Sequence, residues 1–109
     1  MLSKKYRLTK RGSFTFVYNK GERKSDGPLR LTWVAAKNLR IGFSVPNKVG
    51  KAVVRNQLKR RLRAVARQLL KKLRPAQIVV SAQPCAEKLS YEALYNSVCA
   101  LFDKAKLWA

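Results

Sequence analysis

Residues 51–74 read KAVVRNQLKRRLRAVARQLLKKLR. Leu58, Leu62, Val65, Leu69 and Leu73 recur at steps of four, three, four and four, the spacing of one apolar stripe along a helix. The periodicity predicts a long helix over 52–73, ended by Pro75, whose ring disfavours a helical conformation at the residue before it. Short runs with strand character flank it. In 40–45 (RIGFSV), Ile41, Phe43 and Val45 share one face, and 77–82 (QIVVSA) is a second run closed by Pro84. A strand, a long amphipathic helix and another strand in succession point to an α/β arrangement.

Working outward, Leu29, Leu31 and Trp33 alternate with Arg30, Thr32 and Val34, the period of a half-buried strand whose apolar side belongs to the core. A tight turn at Ala36-Lys37-Asn38 would let 29–34 pair with 40–45 as an antiparallel hairpin. The segment 22–28 (ERKSDGP) is polar and punctuated, and reads as a loop. Before it, Thr9 is the expected cap of a short helix reaching about Asn19, with Phe14, Val17 and Tyr18 at helical spacing and Gly21 as a left-handed stop. Residues 1–8 form a basic arm. Near the C-terminus Ser90 is the expected cap of a last helix, with Glu92 in the first turn and Leu94, Val98, Leu101 and Ala105 facing the core. The order is helix, two or three strands, helix, strand, helix, in a single domain spanning 1–109.

Charge narrows the function. Twenty-five Lys and Arg against five Asp and Glu give a net +20. Residues 1–74 hold 22 basic and two acidic side chains, whereas 75–109 hold three of each. Self-repulsion on so small a surface is relieved by a polyanion, and a surface built only for solubility mixes both signs. The long helix concentrates the effect, with ten basic and no acidic side chains in 51–74. Arg55, Lys59, Arg63 and Arg67 follow one another at spacings of four, an arrangement that costs an isolated helix a few tenths of a kcal/mol per pair. Phosphates would compensate it. Arg55-Asn56 adds a fork-shaped donor and an amide suited to phosphate or base-edge contacts.

Other classes find little support. No stretch approaches the roughly 20 apolar residues of a membrane span, and no apolar run follows the basic N-terminus as in a secretory signal. The chain has no His and two Cys, Cys85 and Cys99, which excludes the usual zinc sites and a histidine acid/base pair. The carboxylates Glu22, Asp26, Glu87, Glu92 and Asp103 are scattered and form no evident two-metal set. No catalytic or metal-binding residue is therefore assigned. A ribosomal-type or RNA-chaperone protein is the alternative that charge alone leaves open. A helix-turn-helix DNA reader fits less well, since the basic helix lacks a short partner helix before it.

One ordered set of residues goes further. Val45-Pro46-Asn47-Lys48-Val49-Gly50-Lys51-Ala52, continuing through Arg55-Asn56, Lys59-Arg60 and Arg63, closely resembles the signature of the bacterial ribonuclease P protein subunit. The likeness extends over nearly the whole chain: Arg7-Leu8, Phe14 with Tyr18 and Gly21, 40–45, 78–82, and 89–92 through Leu101-Phe102. Departures are modest. Asn47 stands where many members carry Lys, Phe43 replaces an aliphatic residue, and Ala64 follows the basic run where an acid or amide is frequent.

The resemblance implies an α/β (α+β) two-layer sandwich in which a mixed sheet has helices on one side, an open cleft on the other and a left-handed β-α-β crossover. It implies a cytoplasmic subunit of an endoribonuclease whose RNA is the catalyst, removing the 5′ leader of precursor tRNA. Partners would be that catalytic RNA and the leader, with no membrane and no obligate protein partner. The protein alone would bind no cofactor, while the ribonucleoprotein would require Mg2+. Lys48, Lys51, Arg55, Asn56, Lys59, Arg60, Arg63 and Arg67 would face the catalytic RNA. Phe14 and Tyr18, expected to face solvent, would line the leader cleft with Phe16, Arg30 and Thr32, because single-stranded RNA is held by stacking rings and positive grooves.

Overall fold

The computed structural model describes residues 6–8 and 11–108. Its elements are α1 (Arg11–Lys20), β1 (Glu22–Asp26), β2 (Leu29–Ala35), β3 (Arg40–Ser44), α2 (Ala52–Leu69), β4 (Ala76–Ala82) and α3 (Tyr91–Lys104). The four strands form one sheet in the order β1-β2-β4-β3, antiparallel except for the parallel β3–β4 pair. The expected hairpin between 29–34 and 40–45 does not form, because β4 lies between them. Ile78 and Val80 are buried against one layer and Val79 against the other, so β4 is apolar on both faces and takes the central position. The β3–α2–β4 crossover follows, since parallel neighbours need a long connection.

The segment read as a loop is also different. Residues 22–26 are an edge strand paired with β2 from Glu22↔Trp33 to Asp26↔Leu29. The chain reverses at Gly27-Pro28, where Gly27 has φ +57°, a backbone conformation that suits glycine. An edge strand wet on both faces carries no apolar alternation, so its sequence shows no strand period. Gly21 has no left-handed backbone. It ends α1 through its own N–H, which donates to the Val17 carbonyl at 2.7 Å, and glycine is needed there because a Cβ would lie 2.5 Å from that oxygen and 2.7 Å from the Trp33 carbonyl.

Two helices close the larger core. The α2 stripe is buried as its spacing predicts, at Leu58, Leu62, Val65 and Leu69, while the helix itself ends earlier, in a 3-10 turn at Leu70–Lys72. Leu73 is buried beyond that turn, in an isolated bridge with Trp108. Ser90 caps α3, its Oγ accepting from the Ala93 N–H at 3.1 Å, and Leu94, Val98, Leu101, Phe102 and Ala105 are buried. These side chains pack with Leu29, Leu31, Ile41, Ile78 and Val80 from one face of the sheet, and Trp33 and Phe43 pack half-buried against them.

α1 lies across the opposite face and covers part of it, where Leu8, Val17 and Val79 form a smaller cluster flanked by Phe14, Tyr18 and Val34. The rest of that face is open. Of the basic arm, Arg7 bridges Ile41 in parallel and the Leu8 N–H donates to the Ile41 carbonyl at 3.0 Å, so the arm's end runs beside β3. Residues 1–5 of the arm and the expected cap Thr9 lie outside the described residues.

Candidate nucleic-acid interface

Strand alternation builds the floor and wall of a cleft on the α1 side. The register aligns Arg23 with Thr32 and Val79, and Ser25 with Arg30 and Ser81, so these side chains share one face of the sheet. Tyr18 reaches down from α1, its hydroxyl 3.0 Å from the Ser81 Oγ in a mutual hydrogen bond. Arg23 Nη2 donates to the Tyr18 carbonyl at 3.0 Å and ties the edge strand to the end of α1. With Lys24 and Gln83 these residues enclose a cavity of about 500 Å³. Its lining holds three cations, several hydroxyls and an amide, and no acid. Such a surface can neutralise phosphates and hydrogen-bond exposed base edges.

The structure brings only some of the expected leader residues together. Tyr18, Arg30 and Thr32 line this cleft, Arg30 exposed and Thr32 almost wholly buried in its floor. Phe14 borders a separate cavity of about 230 Å³ with Arg7, Leu8, Ile41, Gly42, Phe43 and Arg63. Phe14 and Tyr18 are half-buried against the smaller cluster and do not stand free in solvent. Two residues from each, Phe16 is half exposed and lines neither cavity. Sequence reasoning missed Arg23, Lys24, Ser25, Ser81 and Gln83. The available signal was Gly27-Pro28, a two-residue turn set between ERKSD and the alternating LRLTW.

The second basic surface is α2 with the turn before it. Lys48, in the 3-10 turn Asn47–Val49, and Lys51, Asn56, Arg60 and Arg67 are exposed. Arg55, Lys59 and Arg63 border the buried stripe and are half-buried, since their long stems can lie along apolar neighbours. Arg55 Nε donates to the Gly50 carbonyl at 3.1 Å, which fixes one guanidinium at the start of the helix. No acidic side chain lies on α2.

The carboxylates are dispersed. Glu22 and Asp26 are on β1, Glu87 in the 3-10 turn Ala86–Lys88, and Glu92 and Asp103 near opposite ends of α3. Asp26 is engaged already: Ser97 Oγ donates to its Oδ2 at 2.8 Å and Lys104 Nζ lies 3.4 Å from Oδ1. Among the described residues no three Cys, Asp or Glu side chains are grouped to hold a metal. Cys99 is half-buried on α3, and burial pushes its thiol pKa up.

The family model for ribonuclease P matches residues 2–106. The chain belongs to the ribonuclease P protein family. It is 41% identical to the ribonuclease P protein component of a Pseudanabaena species and 35% identical to that of a Cyanothece species, in each case covering 98% of this chain and 97% of the relative. It superposes on the RNase P protein of Staphylococcus aureus with a TM-score of 0.89 at 27% identity, covering 95% of this chain and 98% of that one. The RNase P protein of Thermotoga maritima, at 22% identity and a TM-score of 0.82 over 90% of this chain and 96% of that one, shares the fold. As a ribonuclease P protein component, the chain is the protein part of an endoribonuclease ribonucleoprotein that processes the 5′ leader of tRNA, and it partners an RNA subunit. Among the described residues no helix is long and apolar enough to cross a membrane.

Proposed function

We propose that the two basic surfaces divide the binding work of the ribonucleoprotein. The cleft under α1 takes single-stranded leader nucleotides of precursor tRNA, with Arg23, Lys24 and Arg30 on phosphates and Tyr18, Thr32, Ser81 and Gln83 as polar contacts. The observation that carries this reading is the acid-free, three-cation lining of an open cavity of about 500 Å³. Because its donors and the Tyr18 ring tolerate any base, such a site accepts leaders of varied sequence. Lys48, Lys51, Arg55, Asn56, Lys59, Arg60, Arg63 and Arg67 face the catalytic RNA, where ten basic groups in 51–74 meet phosphates. Cleavage chemistry and its Mg2+ belong to the RNA, in the cytoplasm, and no second protein is needed.

The test is cleavage of precursor tRNA at low Mg2+ by the chain, by its cognate RNA, and by both. Rapid cleavage is expected from the mixture alone. Cleavage by the chain without RNA would overturn the division of labour.

A further inference from the structure

Four of the side chains lining the cleft under α1 carry hydroxyls: Tyr18, Ser25, Thr32 and Ser81. They are not equivalent. Thr32 is buried in the floor, and the Tyr18 and Ser81 hydroxyls bond to each other at 3.0 Å. Ser25 is exposed, and its hydroxyl makes no hydrogen bond with another described residue. Its backbone carbonyl alone is held, by Lys104 Nζ at 2.9 Å. In the β1–β2 register Ser25 stands directly opposite Arg30, a position that puts the two Cβ atoms about 4.5–5.5 Å apart. Arg23 lies two residues earlier on the same face, and Lys24 also lines the cavity. The adjacent acid, Asp26, belongs to the other face, where Ser97 and Lys104 engage it. The strand itself is accessible. β1 is already extended, sits at the edge of the sheet and has four of its five residues exposed. An enzyme that reads an extended peptide can take up such an edge.

We infer that Ser25 is a phosphorylation site whose phosphate closes the cleft. The modifying enzyme is a basic-directed serine kinase using ATP, for which Arg23-Lys24 precede the acceptor. Ser25 Oγ attacks the γ-phosphorus, and the Oγ–P bond forms as the bond to the β–γ bridging oxygen breaks. The hydroxyl proton passes to the kinase's carboxylate base, and ADP leaves. Phosphoserine carries close to two negative charges at neutral pH and three acceptor oxygens. Arg30, across the strand pair, can pair with it. So can Arg23, whose guanidinium has further N–H groups besides the one on the Tyr18 carbonyl. Two of the three cations of the cleft are then occupied by the chain's own phosphate. The inference rests on the leader reading of this cleft and adds its regulation. α2 covers the opposite face of the sheet, and salt screens charges beyond about 8 Å, so the catalytic-RNA surface keeps its field.

The experiment installs phosphoserine at position 25 by genetic encoding and compares this chain with the parent and with Arg30→Ala. Each is reconstituted with the cognate RNA. Dissociation constants are measured at physiological salt for precursor tRNA and mature tRNA, and for the chain alone on catalytic RNA. Phosphoserine should weaken precursor binding by about ten- to a hundredfold, the order of one or two charge-assisted contacts. It should flatten the salt slope by about 1.4, for two cations withdrawn from phosphates. Mature tRNA and catalytic RNA should bind within about threefold of the parent, and phosphatase treatment should restore precursor binding. Unchanged precursor binding beside a loss in Arg30→Ala overturns the switch and leaves the leader reading standing. No loss from either overturns both. Equal losses on all three RNAs show a general charge effect and overturn the switch. Urea denaturation accompanies each chain, with Ser25→Asp as the substitute if phosphoserine unfolds the protein. A second measurement treats the folded parent with a basic-directed serine kinase and ATP and maps phosphate by peptide mass spectrometry. Phosphate at Ser25 is expected, and its absence overturns the site.

Discussion

Removing the Asp26 carboxylate should loosen the outer wall of the cleft by an amount that can be worked out. β1 is polar along its length, four of its five residues are exposed, and Asp26 is the half-buried one. Its carboxylate accepts from Ser97 Oγ at 2.8 Å and faces Lys104 Nζ at 3.4 Å, and the same ammonium donates to the Ser25 carbonyl at 2.9 Å. The ion pair is 48% and 32% exposed, so solvent limits it to about 0.2–1 kcal/mol. A hydrogen bond to a charged acceptor contributes about 1.5–3 kcal/mol when buried, and partial exposure brings it to roughly 1–2. Asp26→Ala should then cost about 1.2–3 kcal/mol in urea denaturation, lowering Tm by about 5–15 °C in a domain of this size. Asp26→Asn keeps an acceptor for Ser97 and should cost less than about 1 kcal/mol. Hydrogen exchange at the β1 amides should speed up in the alanine variant before that of β4. An Asp26→Ala protein within about 0.5 kcal/mol of the parent, the range of an innocuous surface change, would refute the idea that α3 clamps the strand.

Three other expectations follow from packing, charge and thiol burial. Leu62 is fully buried, so Leu62→Ala should cost about 2–5 kcal/mol in chemical denaturation, and Leu62→Arg should prevent folding at moderate temperature. Arg60 and Arg67 are exposed on α2, and replacing both with Ala should reduce the slope of log affinity for catalytic RNA against log salt by about 1.4–1.8 if each contacts one phosphate, with circular dichroism unchanged. Cys85 is exposed, whereas burial raises the Cys99 pKa and keeps its thiol protonated to higher pH. A thiol reagent at pH 8 should therefore modify Cys85 first, and Cys99 should gain reactivity only as pH rises further, as read by mass spectrometry of Cys85→Ser and Cys99→Ser proteins.

What could be read in advance depended on whether a residue's role left a period in the chain. The α2 stripe did, because a helix between core and solvent must repeat its apolar face, and all five stripe residues are buried. The Ser90 cap did as well, since an orphan N–H needs a short polar acceptor at one position. β1 left no period, because ERKSD is wetted on both sides and owes its place to a partner strand and the α3 clamp. The expected hairpin failed for a related reason. Nearness in sequence favoured β2 with β3, yet the continuous Ile78-Val79-Val80 run needed cover on both faces and took the place between them.

The site shows the same limit. Tyr18, Arg30 and Thr32, expected in the site from helix spacing, strand alternation and the family likeness, line one cleft, and Phe16, expected with them, lines neither cavity. Arg23, Lys24 and Gln83 were missed because their positions follow from register with β2 and β4, which single-strand patterns do not contain. That Phe14 and Arg63 share a cavity depends on tertiary packing around β3, which no local spacing records.

The leader cleft is tested most directly by Arg30→Ala in the reconstituted ribonucleoprotein. Arg30 is exposed on β2, lines the cleft, and makes no hydrogen bond or ion pair with another described residue, so its loss should leave the fold intact. Dissociation constants for precursor tRNA and mature tRNA are measured side by side at fixed salt. The account predicts precursor binding weakened by about three- to twentyfold, the worth of one charge-assisted phosphate contact, and mature tRNA binding changed by less than twofold. Equal losses on both tRNAs, or precursor binding as tight as that of the parent, would contradict it.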